Sequence, residues 1–153
     1  MQTTLRDLTQ GEINNLELDL DLAYSICKKY EPDFSGSFTA ILLTKVFGLW
    51  LTDSSNFVAN EDIADFNSKC LTKPTPKMVE FGLGSAYGEV LNEEFGTSWK
   101  HITDEYGAEI CIRNEDPVYT TFPYTIVQKR IDSKETSFFE PIMETMRYNI
   151  GKK

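Results

Sequence analysis

Gly96 divides this chain into two periodicities, and that change limits what it can fold into. Before it, apolar residues recur at helical spacing; beyond it they alternate, as in strands with one buried face. Thr9-Gln10-Gly11-Glu12 reads as a capping box, in which hydroxyl and carboxylate satisfy orphan amides reciprocally. Ile13, Leu16, Leu20, Ala23, Tyr24 and Cys27 then line one helix face, with Leu18, Leu22 and Ile26 as a second apolar edge. Asp19 and Asp21 fall between these rows and are expected to face solvent. Glu31-Pro32 stops the helix near Tyr30, because a residue before proline avoids helical torsions. A second helix is predicted over Ser37–Leu51, apolar around most of its circumference and therefore central. A shorter helical piece is expected over Glu61–Cys70. Thr75 as N-cap with Pro76 at the first helical position opens a third helix, and Gly96 is its left-handed cap.

Beyond Gly96, Ser98–Ile102 and Ala108–Arg113 read as strands, with Gly107 in the left-handed position of a three-residue hairpin loop. That loop sets Ile102 opposite Ile110, Lys100 opposite Ile112, His101 opposite Cys111 and Trp99 opposite Arg113. Ile102, Ile110, Ile112 and either Val118 or Phe122 would then face the third helix. Asn114-Glu115-Asp116-Pro117 is a second turn, Val118–Phe122 a third strand, and Tyr124–Ile131 and Phe138–Ile150 are closing helices. The fold class is α+β: one domain over 1–153, with N-terminal helices packed on a small three-stranded antiparallel meander and C-terminal helices.

Charge narrows the partners. Fifteen Lys and Arg against 24 Asp and Glu give a net charge of −9. Such a surface repels phosphate backbones and anionic lipid, which argues against nucleic-acid and membrane-surface binding, and it attracts basic proteins. The most apolar stretch, Phe38–Leu51, is broken by Lys45 and falls short of the roughly 20 residues a bilayer requires. Met1–Asp7 has no apolar signal core, so a cytoplasmic address is expected. Cys27, Cys70 and Cys111 are odd in number and lack metal-knuckle or redox spacing, which reads as buried free thiols. A single histidine cannot complete a zinc site.

Three candidate chemistries arise from motifs. Gly82-Leu83-Gly84-Ser85-Ala86-Tyr87-Gly88 superficially suggests a nucleotide loop, but Tyr87 stands where that fingerprint needs Gly or Ala, and the glycines lie inside a helix. Close helix packing is the expectation. His101 is the sole histidine and a general base would have to be it or a carboxylate. Glu93-Glu94 and Glu115-Asp116 are ordinary solvated pairs. No catalytic residue, cofactor or metal is expected.

Gly84-x-x-x-Gly88, Gly96-x-x-Trp99, Asp104-Glu105-Tyr106-Gly107, Phe122-Pro123 and Lys129-Arg130 occur in that order. Over roughly Pro76–Ile131 this series resembles a bacterial family of uncharacterised proteins defined by a domain of unknown function. The resemblance implies a bacterial intracellular protein and carries no activity.

The favoured reading is a protein-binding module of the immunity type, which neutralises a toxin by occluding its active site. Its partner would be basic. Trp99, His101 and Arg113 would form the docking strip, rimmed by Glu105, Glu109, Glu115 and Asp116, since aromatics and arginine supply most binding hot spots. A helix covering that strip would close it, leaving the acidic first helix around Glu17, Asp19 and Asp21 as the next candidate. Two alternatives stand beside this one: an enzyme with a carboxylate or His101 site, and a structural or regulatory module that forms a homodimer.

Overall fold

The computed structural model describes residues 2–59, 66 and 72–151. Its elements run β1 (Thr4–Arg6), α1 (Gln10–Tyr30), α2 (Ala40–Thr52), β2 (Asn56–Phe57), β3 (Thr72–Lys73), α3 (Pro76–Phe95), β4 (Ser98–Asp104), β5 (Gly107–Glu115), β6 (Val118–Thr121), α4 (Pro123–Ser133) and α5 (Phe139–Ile150). The class is α+β. The expected helix over Glu61–Cys70 lies outside the described residues, Phe66 excepted.

Local chemistry sets the helix ends. Thr9 Oγ1 accepts from the Glu12 amide at 3.2 Å, and Glu12 Oε1 accepts from the Thr9 amide at 2.9 Å, completing the capping box. Thr39 and Thr75 cap α2 and α3 through the hydroxyl alone, accepting from the Leu42 and Met78 amides at 3.1 and 3.2 Å. Helix α2 therefore starts at Ala40, three residues later than Ser37. Gly96 closes α3 at φ 66°, a left-handed torsion that costs glycine nothing sterically.

Helix α3 is the axis of the molecule, buried without interruption from Gly82 to Gly88. Each of its three inner glycines admits a different neighbour. A Cβ on Gly82 would lie 2.9 Å from Ile26 Cδ1 and 3.3 Å from the Ala23 backbone nitrogen in α1. On Gly84 it would lie 3.0 Å from Tyr124 Cα in α4, and on Gly88 it would lie 2.0 Å from Trp99 Cζ2 in β4. These glycines serve close packing, as expected, although on more than one face.

Beneath α3 and α5 lies an aromatic core. Phe47 of α2 meets Phe138 and Phe139 edge-on at 5.3 and 6.3 Å, and Tyr87 meets Phe139 at 4.9 Å. The buried Tyr87 hydroxyl donates to the Phe139 carbonyl at 2.9 Å. Trp50 Nε1 donates to the Pro74 carbonyl at 2.7 Å, so the polar end of that indole is also satisfied.

The sheet corrects two expectations. It has four strands, in the order β1-β4-β5-β6, because Thr4–Arg6 adds antiparallel to β4 with Leu5 opposite Ile102. A short parallel pair, β2 with β3, stands apart. The β4–β5 register differs by one residue from the expected one. Asp104 pairs with Gly107, leaving only Glu105 and Tyr106 in the turn, and Asp104 Oδ1 accepts from the Tyr106 amide at 2.9 Å. That local hydrogen bond tightens the loop. Trp99 consequently faces Ile112, Lys100 faces Cys111, His101 faces Ile110 and Ile102 faces Glu109, while Arg113 faces Ser98.

A one-residue slip moves side chains between sheet faces. Trp99, His101, Ile110 and Ile112 share the face toward α3, with Ile112 only 1% exposed. Ile102 sits on the opposite face with Cys111 and Leu5, outside the main apolar cluster. Val118 is exposed at the sheet edge, and Thr121 takes the buried position opposite Ile112.

Candidate functional site

The docking strip expected from the sequence is divided by this register. Trp99 and His101 are half-buried on the helix side. Arg113 is on the other face, where its Nη1 donates to Thr120 Oγ1 at 2.8 Å and its Nε lies 3.6 Å from Glu115. Glu105, Glu109, Glu115 and Asp116 are exposed as expected, but Glu105 and Glu115 lie at opposite ends of β5. A nine-residue strand is about 27 Å long, so the four acids cannot rim one patch.

Trp99 is held by what surrounds it. Its ring packs against Gly88 and lies 5.9 Å from the Tyr124 ring. The buried Nε1 makes no hydrogen bond of ordinary geometry. It lies near the Glu89 carboxyl, whose pKa is raised by burial and drawn partly back by this indole. Helix α3 therefore covers Trp99, while Arg113 lies on the other face.

A different site forms where four elements meet. Helix α1 contributes Glu12, Asn15, Leu16 and Asp19, spaced so that they share one face. The early part of α3 adds Glu80 and Phe81, β5 adds Glu109 and Ile110, and the first turn of α4 adds Tyr124 and Thr125. Together they enclose a groove of about 300 Å³. Its apolar surface comes from Leu16, Ile110 and the Phe81–Tyr124 pair, whose rings meet edge-on at 5.8 Å.

Four carboxylates line this groove, in three different states. Glu12 is neutralised: Arg6 donates to it at 2.7 and 3.3 Å, and these bonds, with the Thr9 amide, hold its pKa at about 2 instead of the ordinary 4.5. His101 Nε2 stands 3.9 Å from the same carboxylate. Asp19 and Glu80 are shifted the other way. Burial raises the Asp19 pKa, opposed by the Tyr124 hydroxyl donating at 2.8 Å. Burial also raises that of Glu80, which Lys77 lowers and Asp132 raises. Glu109 is exposed and accepts from Thr125 Oγ1 at 3.2 Å. Among the described residues, Asp19, Glu80 and Glu109 have no lysine or arginine within ion-pairing distance.

The Glu12 shift has a testable sign. A depressed folded-state pKa adds stability above the unfolded value of 4.5, and this is lost as pH falls through about 2. In thermal unfolding, Glu12→Gln should melt below the wild type at pH 6, and the gap should close as pH falls from 4.5 toward 2. A gap independent of pH would show that the Arg6–Glu12 pair does not couple to folding.

Burial pushes the Cys27 and Cys111 thiols up to about 12 and about 11, the direction opposite to that of a reactive cysteine. Both are buried and free, as the sequence suggested; Cys70 lies outside the described residues. Among the described residues no three His, Cys, Asp or Glu side chains converge closely enough to hold a metal ion. No helix among them is long and apolar enough to cross a membrane.

Of the groove residues, only Glu109 belonged to the expected site, with His101 beside it; Asp19 was expected to face solvent. Nothing local marks Asp19 for burial, because its partner Tyr124 is 105 residues away.

The chain is thus an α+β protein with an acidic, aromatic-walled groove beside a glycine-bearing helix. Residues 66–139, roughly the C-terminal half, match the family described as Domain of unknown function (DUF3806). The match includes α3, the meander and α4, in agreement with the resemblance read from their ordered motifs. No curated protein and no solved structure matches the chain.

Proposed function

We propose that this protein is a binding module for a basic protein, of the immunity type that neutralises a toxin by occluding its active site. The observation that carries the reading is the groove between α1, α3, β5 and α4, where Asp19, Glu80 and Glu109 form no close ion pair among the described residues, Lys77 acting on Glu80 only at longer range. On a chain of net charge −9, such a groove concentrates negative potential at a recess with apolar walls. Complementary charge speeds encounter with a basic partner and makes the rate fall with salt. Tyr106 and Glu105 at the β4–β5 turn are exposed as well.

The test begins with affinity capture from the source cells and identification of what is retained. Association with that protein is then measured against salt for the wild type, Glu80→Lys/Glu109→Lys and Glu115→Lys/Asp116→Lys. The groove pair should slow association at least tenfold at low salt, and the distant turn pair by much less. A captured toxin should also lose activity on binding. An acidic partner, or a salt-independent rate, would refute the reading.

A further inference from the structure

The groove is too small for a helix or strand of a partner. Its volume, about 300 Å³, is at the lower end of small-ligand pockets and suits one long side chain. Its lining then restricts which one. Carboxylates at Asp19, Glu80 and Glu109 exclude an anion, and Phe81, Tyr124, Leu16 and Ile110 provide apolar surface for an aliphatic stem. Among the described residues no three acids converge on a point as a metal ion requires, so the negative charge here is spread around the recess. Spread acceptors beside aromatic rings match a planar, delocalised cation better than a compact one.

We propose that this groove is a socket for a single arginine side chain presented by the basic partner, an inference that rests on the binding reading above. The guanidinium lies among Asp19, Glu80 and Glu109 and stacks against the Phe81–Tyr124 wall, with its methylenes over Leu16 and Ile110. Arginine's fork can engage more than one carboxylate at once, and its weaker hydration eases entry into a partly desolvated recess. A lysine ammonium can satisfy the charge but presents no planar group to the rings and is more strongly hydrated.

The test needs no partner protein. The ¹⁵N-labelled full chain is titrated with N-acetyl-arginine amide, with N-acetyl-lysine amide, and with N-acetyl-citrulline amide as the neutral isostere, and amide shifts are followed by NMR. Arginine amide should produce saturable shifts confined to residues around 12–19, 80–81, 109–110 and 124–125. Lysine amide should bind severalfold more weakly and citrulline amide not measurably. Asp19→Asn, whose amide oxygen can still accept from Tyr124, and Glu80→Gln should each weaken arginine binding at least threefold while leaving the rest of the spectrum in place. Equal binding of citrulline, equal binding of lysine, unchanged affinity in both variants, or shifts located elsewhere would each overturn the socket. Its failure is separable from that of the parent reading: a basic partner whose association depends on the groove charges would survive a negative titration. Conversely, a positive titration would survive failure to capture a basic protein.

Discussion

Gly88→Ala is expected to lower stability by about 1–3 kcal/mol, in the range found when well-packed cores are overfilled. In isolation the substitution should help, since alanine favours a helix over glycine by roughly 1 kcal/mol. Packing reverses the sign. The added methyl would lie 2.0 Å from Trp99 Cζ2 and 2.3 Å from Cη2, well inside contact distance. The indole has little room to retreat, with the Tyr124 ring 5.9 Å away and Ile112 beside it across the sheet. Gly48→Ala supplies the control, because a Cβ there meets nothing within 4 Å and α2 should gain up to about 1 kcal/mol. Urea unfolding of the two variants should move the midpoints in opposite directions. Parallel shifts would mean that propensity governs both sites and that Trp99 does not press on α3.

The features legible in the sequence are those whose chemistry is local. Thr9 with Glu12, Thr75 with Pro76, and Gly96 each terminate a helix through groups a few residues apart, and all three termini are where their residue types place them. The ordered motifs from Gly84 to Arg130 all fall within the matched residues 66–139. The β4–β5 register was not legible, because it depends on whether Asp104 joins the turn or the ladder. Alternation fits either choice. Strand β1 is only three residues long and forms by pairing with β4 nearly a hundred positions later. The groove was illegible for the same cause on a larger scale. Its acids come from α1, α3 and β5, and only the fold brings them to one recess. Acidic residues were abundant in the sequence; which of them line one recess is a tertiary property.

The C-terminal helix provides the second large effect. Phe139→Ala should cost about 3–5 kcal/mol, the range for truncating a buried phenylalanine, where lost transfer energy and the cavity left behind add together. Phe139 is fully buried and sits between elements distant in sequence, with Phe47 of α2 edge-on at 6.3 Å and Tyr87 of α3 at 4.9 Å. It therefore couples the end of the matched segment, residue 139, to a helix outside that segment. Tyr87→Phe removes only the hydroxyl that bonds the Phe139 carbonyl at 2.9 Å and should cost about 1 kcal/mol. The ratio of the two effects distinguishes ring packing from hydrogen bonding as the force that seats α5. If Tyr87→Phe proved as damaging as Phe139→Ala, the polar contact would be the dominant clamp. If both were mild, α5 would contribute little to the cooperative core, and α1, α2 and α3 would close it without Phe139.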